Sequence, residues 1–325
     1  MGLIGEIDMT FEEFKKEWHD NSSFIECHTS GSTGKPSLIS LSKKIMRESA
    51  IRTNTFFDIR PDSLLYSCIA PDYIGGKMML VRSIMADCAF QYETPSNRPL
   101  INFHGNNITL LSVVPSQMAF ILDHPEIYSK VKYFLIGGAS IPGTIRNRII
   151  EHGLNAFESY GMTETTSHIA LRKIEKDAKW FHTLNDITVF LHSDRQLGIS
   201  IKDKSVLTND IAELKSEYEF KILGRVDNVI NSGGKKISPE DVETRLSKIL
   251  DFPFCISSRP DSKWGERVVL VTPENKMNPT IIIERCREVL QGYEMPKEVI
   301  FVDSLPLTPN GKIRRNCIFE KKEKE

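Results

Sequence analysis

Residues 108–153 read ITLLSVVPSQMAFILDHPEIYSKVKYFLIGGASIPGTIRNRIIEHG. ITLLSVVP (108–115) is an apolar strand ending at Pro115, and QMAFILDH (117–124) has helical spacing. VKYFLIGGA (131–139) is a second strand, running into a Gly-Gly turn. Pro142 opens another helix, IRNRIIEHG (145–153), which Gly153 stops. Upstream, LLYSCIA (64–70) reads as a buried strand, followed by Gly75-Gly76 and helical MMLVRSIM (78–85). Strands alternating with helices predict an α/β fold with a mainly parallel sheet and flanking helices. Ligands of such sheets bind beyond the carboxyl ends of the strands, where the glycine-rich turns fall here.

Outside this stretch the texture changes twice. Residues 1 to about 26 form a lead-in with an amphipathic helix over Phe11–Trp18. After about residue 185, ITVFLH, GISIKD and SVLTND read as short antiparallel strands. From GRVDNVINSGGKKISPEDVETRLSKIL (224–250) onward a small α+β domain begins, with Ser238 as N-cap and Pro239 in the first helical turn. VVLVTP (268–273), the helix IIIERCREVLQG (281–292) and the strand EVIFVDSL (298–305) complete it. The expected domains are therefore 1–226 and 227–325, with the boundary near Arg225–Asp227. A chain of 325 residues fits two domains of ordinary size.

Composition excludes several classes. Lys and Arg number 42 against 43 Asp and Glu, so the net charge of -1 provides no global pull toward nucleic acid or an anionic membrane. No apolar run approaches the ~18 residues of a membrane span. MGLIGEIDMTFEEF lacks the basic and apolar regions of a signal peptide, and Glu6 stands where a myristoylation signal wants Ser or Thr. Cys27, Cys68, Cys88, Cys255, Cys286 and Cys317 are too widely spaced for a disulfide framework or a zinc site. Reduced thiols in a cytoplasmic protein are expected.

The strongest local signal is His28-Thr29-Ser30-Gly31-Ser32-Thr33-Gly34-Lys35-Pro36. Small and hydroxyl-bearing residues followed by a lysine suit a loop that turns backbone N–H groups, hydroxyls and one ammonium toward phosphate oxygens. It is not a Walker A loop, because Thr29 and Pro36 stand where that pattern needs Gly and Ser or Thr. Alone, the same residues suit a flexible turn equally well.

Four segments in order resemble the acyl-adenylate-forming family: acyl-CoA synthetases, adenylation domains and luciferases. They are TSGSTGKP (29–36), Tyr160-Gly161-Met162-Thr163-Glu164, GRVDN (224–228) with SGGKKI (232–237), and PLTPNGKIR (306–314). The resemblance covers about residues 27–318. YIGGKMMLVRS (73–83), HIALR (168–172), LTNDIAEL (207–214) and RVDNVINSGGKKISPEDVE (225–243) are similar to the branch of the family that ligates o-succinylbenzoate to CoA in menaquinone biosynthesis.

The resemblance implies two steps. A carboxylate attacks the α-phosphate of ATP, releasing pyrophosphate, and the CoA thiol then displaces AMP. It assigns Thr29, Ser30, Gly31, Ser32, Thr33, Gly34 and Lys35 to the phosphates, Thr163 to the α-phosphate and Glu164 to Mg²⁺. Gly138, Ala139, Ser159, Tyr160 and Gly161 wall the adenine, and Asp210 and Arg225 take the ribose and phosphate. Lys312 bridges carboxylate and α-phosphate as the catalytic cation. The small domain reorients at Asp227 between the steps, and Gly233 and Gly234 line the CoA tunnel. Tyr73, Lys77, Arg82 and His168 belong to the acyl pocket. Tyr73 stands where relatives usually carry His. A dicarboxylate needs a cation for its spare carboxylate, and Lys77 or Arg82 is expected to provide it, with Ser167 and His168 nearby.

Two departures qualify the picture. The family loop usually ends TGxPK, and here Ser37 follows Pro36, so one phosphate cation is missing. Relatives carry over a hundred residues before the loop and this chain about 27, so an N-terminal subdomain is expected to be absent. Either the core tolerates that loss or a second chain, such as a homodimer partner, covers the sheet. Another aryl- or acyl-CoA ligase, an adenylation enzyme that loads a carrier protein, and a shortened AMP- or acyl-adenylate-binding protein remain the rival readings.

Overall fold

The parallel sheet forms as the periodicity predicts. The structure, a computed structural model, describes residues 9–28, 38–105, 107–273, 277–306 and 313–319. It divides into two compact units, 1–188 with 200–206 and 189–199 with 207–325.

In the first unit, α1 (Phe11–His19) starts with a capping box. The Thr10 side chain accepts from the Glu13 N–H, and the Glu13 carboxylate accepts from the Thr10 N–H. Its buried face, Phe11, Phe14 and Trp18, belongs to one apolar cluster with Ile25, Met46 and Met78. β1 (Phe24–His28) and β2 (Leu38–Ser42) pair as an antiparallel ribbon. α2 (Lys43–Phe57) follows; it ends at Asp58 in the left-handed conformation.

β3 (Leu64–Ser67), α3 (Ile74–Ala86), β4 (Ala89–Tyr92), β5 (Ile108–Val113), α4 (Pro115–Leu122), α5 (Pro125–Tyr128), β6 (Val131–Ile136), α6 (Gly143–Glu151) and β7 (Ala156–Met162) complete the alternation. The strand order β4-β3-β5-β6-β7 is parallel throughout. β8 (Ser167–Lys173) and β9 (Phe181–Thr183) then extend it antiparallel. Leu111, Val113, Met118, Phe134, Ile136 and Ile149 form the core between this sheet and its helices.

Two boundaries differ from the sequence reading for a physical reason. α3 begins at Ile74, so Gly75 and Gly76 lie inside the helix rather than in a turn before it. A Cβ on Gly76 would strike the Ala70 carbonyl oxygen, so this glycine allows helix and preceding loop to touch. α4 begins at Pro115, whose missing N–H costs nothing in the first turn.

The second unit takes in most of four further strands and a separate five-stranded sheet. β10 (Ile187–Leu191), β11 (Gln196–Ile201), β12 (Lys204–Ser216) and β13 (Glu219–Arg225) are neighbours in that order. The smaller sheet is built from β14 (Ile230–Ser232), β15 (Lys235–Ile237), β16 (Cys255–Asp261), β17 (Gly265–Thr272) and β18 (Glu298–Phe301). Its order is β15-β14-β17-β16, with β18 alongside β17. The helices α7 (Pro239–Leu246) and α8 (Pro279–Cys286) pack on it through Val242, Leu246, Ile282 and Cys286. Ser238 caps α7, accepting from the Asp241 N–H. No helix among the described residues is long and apolar enough to cross a membrane.

Candidate functional site

In the first unit the predicted residues gather where β6 and β7 end. β6 runs into Gly137 and Gly138, and Gly138 has φ 85°, a conformation that favours glycine. A Cβ on Gly137 would press on the Ser159 hydroxyl, which donates to the Ile136 carbonyl at 3.1 Å. Ser159, Tyr160 and Gly161 lie on β7, beside β8. Tyr160 packs at a tilt on Phe181 with ring centroids 5.8 Å apart. Gly161 has no room for a side chain, because a Cβ would enter the Ser167 carbonyl and the His168 backbone. Thr163 and Glu164 follow in a single 3₁₀ turn (Thr163–Thr165). Thr165 holds that turn: its hydroxyl accepts from the Met162 N–H and donates its one proton to the Ser167 carbonyl at 2.8 Å, with the Met162 carbonyl at 3.0 Å. Glu164 is exposed, and among the described residues no cation pairs with it. A solvated, uncommitted carboxylate at the end of a strand fits one ligand of a Mg²⁺ ion that keeps waters and phosphate oxygens as its other ligands.

Behind this turn lies a buried polar cluster. The Arg82 guanidinium donates through Nη2 to Ser167 Oγ at 2.9 Å and approaches His168 Nδ1 at 3.4 Å. Thr53 Oγ1 lies 3.1 Å from His168 Nε2 and donates to the Ser49 carbonyl. With that proton committed, Thr53 accepts from Nε2–H while Nδ1 accepts from Arg82, which assigns a neutral imidazole. Asn54 fixes the backbone by donating to the Arg82 carbonyl. Arg82 is 1% exposed and, among the described residues, has no carboxylate partner. Burial lowers its pKa to about 9. Burial first, and the charge of Arg82 second, push His168 well below the usual value.

That shift has a pH signature. The unfolded chain takes up the His168 proton as pH falls through about 6.5, and the folded chain does not. The stability is therefore present above that pH and lost below it, by at most about 1.4 kcal/mol per pH unit. The melting temperature of His168→Gln is expected to fall less than that of the parent between pH 7 and 5. Parallel curves would contradict the assignment.

Lys77 does not join Arg82. It sits five residues earlier on α3, with Nζ 3.0 Å from Met9 Sδ and 4.6 Å from the centre of the Phe14 ring. Burial lowers its pKa. Tyr73 is the N-cap residue of α3 and is 42% exposed. No element is assigned to α2 from the sequence, so Thr53 and Asn54 are not singled out there; apolar pairs at 45/46, 50/51 and 56/57 were the available signal for the helix, though not for those two residues.

In the second unit, Asp210 and Arg225 face each other in register across β12 and β13. Arg225 donates through Nη1 to Asp210 at 3.2 Å and through Nη2 to Asp227 at 3.0 Å. One guanidinium therefore joins the expected ribose carboxylate to the expected hinge residue. Gly233 and Gly234 both have positive φ, 58° and 76°, in the turn between β14 and β15. The Gly233 N–H donates to the Trp264 carbonyl at 2.8 Å, and a Cβ there would meet the Trp264 ring. A cavity of about 370 Å³ opens beside this turn, lined by Ser232, Trp264, Gly292, Tyr293 and Lys297. Trp264 was not singled out from the sequence, where it stands in an ordinary polar turn. The phosphate-loop residues Thr29, Ser30, Gly31, Ser32, Thr33, Gly34 and Lys35, with Ser37, and the catalytic candidate Lys312 lie outside the described residues.

The AMP-binding enzyme family matches residues 7–185, and the AMP-binding enzyme C-terminal domain matches residues 254–312. The chain belongs to the AMP-binding enzyme family. It is 25% identical to a 2-succinylbenzoate–CoA ligase of Bacillus cereus, over 94% of this chain and 70% of that protein. Among solved structures it is similar to an acyl-CoA synthetase (AMP-forming)/AMP-acid ligase II-like protein from Dyadobacter fermentans. The TM-score is 0.64 and the identity 28%, covering 98% of this chain and 95% of that one. The o-succinylbenzoate coenzyme A synthetase of Bacillus subtilis, solved with ATP and magnesium, shares the fold at a TM-score of 0.76. Its identity is 22%, over 90% of this chain and 69% of that one.

Proposed function

We propose that this AMP-binding enzyme is an AMP-forming acid–CoA ligase whose acid is o-succinylbenzoate. The observation that carries the acid is Arg82, a buried guanidinium with no carboxylate partner among the described residues, aimed at Ser167 and His168. A buried cation without a counter-ion is costly to keep. An acid with a second carboxylate supplies that counter-ion from the substrate, and a monoacid does not. The names of the relatives agree with this choice.

The chain's own groups then divide the work. Residues 29–35 hold the β- and γ-phosphates, and Thr163 faces the α-phosphate. Lys312 draws the attacking carboxylate and the α-phosphate together, offsetting the repulsion between two anions. Asp210 accepts from the ribose hydroxyls, steadied by Arg225. Glu164 holds Mg²⁺, which when bound neutralises phosphate charge. In the second step the CoA thiol attacks the acyl carbonyl and AMP leaves. Gly233 and Gly234 give the pantetheine arm close passage, and the adjoining cavity with Trp264, Tyr293 and Lys297 takes the nucleotide end of CoA. Residue 227 marks the start of the segment that moves between the steps.

Pyrophosphate release over a panel of carboxylates, with and without CoA, tests the proposal. Release that requires o-succinylbenzoate, followed by thioester formation with CoA, is expected. Release with amino acids and no CoA product would point to carrier loading, and no release with any acid to a binding protein. Trp264→Ala is expected to raise the KM for CoA about tenfold, the loss of one stacking contact of roughly 1.4 kcal/mol. Pyrophosphate release without CoA should stay at the parent rate. An unchanged KM for CoA would remove Trp264 from that site.

A further inference from the structure

The segment that follows Lys312 is tied down by one side chain. Arg315 lies three residues beyond the lysine and is largely buried, with a side-chain exposure of 11%. Its Nη2 donates to Glu243 at 2.7 Å and lies 3.4 Å from Glu240. The two carboxylates are one helical turn apart on α7, so they present a single anionic face, and one guanidinium nitrogen, Nη2, meets both.

Each carboxylate also holds something else. Glu243 Oε1 accepts from the Ile256 N–H on β16 at 2.7 Å. Glu240 accepts from Asn228 Nδ2 at 2.5 Å. Asn228 belongs to the 3₁₀ turn Val226–Asn228, which contains Asp227. Gly224, just before that turn, leaves no room for a Cβ because Ser238 and Glu240 press on it. The rest of the segment is held by simpler means. The Arg314 N–H donates to the Pro306 carbonyl at 2.8 Å. Ile318 is buried with Cys255, Val269 and Val271, and Ile313 packs against them.

We infer that Arg315 is a positioning residue for Lys312. Through Glu243 it ties the residues just after Lys312 to α7 and β16, and through Glu240 it couples them to the turn at Asp227. The inference rests on the role given to Lys312 under the proposed function. A buried guanidinium spanning two carboxylates costs desolvation and adds little stability over an apolar side chain of equal volume. What it adds is a fixed geometry, and misplacing a catalytic group by about 1 Å can cost a hundredfold in rate.

The two half-reactions separate this role from a merely structural one. Arg315→Lys keeps a cation, but its shorter side chain sets the charge back from the point between the two carboxylates that Nη2 occupies. It is expected to slow pyrophosphate release about tenfold, with the KM for ATP within twofold of the parent. Thioester formation from supplied o-succinylbenzoyl adenylate and CoA should stay within twofold. Arg315→Met should slow pyrophosphate release further, and if it fails to fold, the lysine variant decides alone. In a Lys312→Ala background, Arg315→Lys should add no further loss, because it acts through that lysine. Equal losses in both half-reactions, losses that multiply with Lys312→Ala, or an unchanged rate of pyrophosphate release would each overturn the inference. If Lys312→Ala alone leaves pyrophosphate release at the parent rate, the underlying role of Lys312 fails, and the inference with it.

Discussion

Replacing Lys312 by alanine is expected to slow acyl-adenylate formation by roughly a hundred- to a thousandfold, the range for removing one preorganised donor from a developing anionic centre. The reason is electrostatic. A carboxylate approaching a triphosphate meets repulsion from every phosphate oxygen, and a single ammonium that touches both anions removes most of it at the reacting atoms. The loop at residues 29–35 contains one lysine and is followed by Pro36-Ser37, so it has no second cation to take over. The loss should appear in pyrophosphate release with the KM for ATP little changed, because the interaction strengthens only as the new bond forms. Thioester formation from supplied o-succinylbenzoyl adenylate should continue, since no triphosphate takes part in it. A parent rate of pyrophosphate release in the alanine variant would remove Lys312 from the first step.

The α/β architecture was legible because period-2 and period-3.6 patterns alternate cleanly between residues 64 and 153. The elements that escaped notice did so for identifiable reasons. α2 is rich in charged and hydroxyl residues, and Thr53 and Asn54 are buried by what packs on them, which no local pattern encodes. The start of α3 was hidden by Gly75-Gly76, read as a turn from intrinsic preference, whereas contact with the Ala70 backbone demands a small residue inside the helix. Ser159, Tyr160, Gly161, Thr163 and Glu164 lie close in the chain, so one strand and its turn carry them all. The choice between Lys77 and Arg82 could not be made from spacing. Five residues on a helix turn a side chain by about 140°, and only the neighbours decide which face meets Ser167. Arg315 and Glu243 stand 72 residues apart in the chain, so their partnership could be found only once the fold had brought them together.

Replacing Arg82 by methionine is expected to move stability and substrate binding in opposite directions. Methionine fills a similar space without a charge, so the desolvation cost of a guanidinium lacking a carboxylate partner disappears. The Arg82 Nε, buried without an acceptor among the described residues, is removed as well. The melting temperature should therefore hold or rise. His168 loses the cation that helps to lower its pKa, while the larger cause, burial, remains, so its acid sensitivity should weaken without vanishing. For the substrate the same change deletes the proposed partner of the second carboxylate. A hydrogen-bonded charge is worth about 1.5–3 kcal/mol, so the KM for o-succinylbenzoate should rise roughly ten- to a hundredfold. The KM for ATP, bound at the other end of the reacting carboxylate, should not move. Benzoate, which has no second carboxylate, provides the control: whatever slow turnover it supports should be no worse in the variant than in the parent. Equal damage to both acids would mean that Arg82 only supports the backbone around Ser167, and an unchanged KM for o-succinylbenzoate would exclude it from the acyl site. A stabler protein that has lost its preference for the dicarboxylate is the outcome that follows if the cation is kept buried for the sake of the substrate.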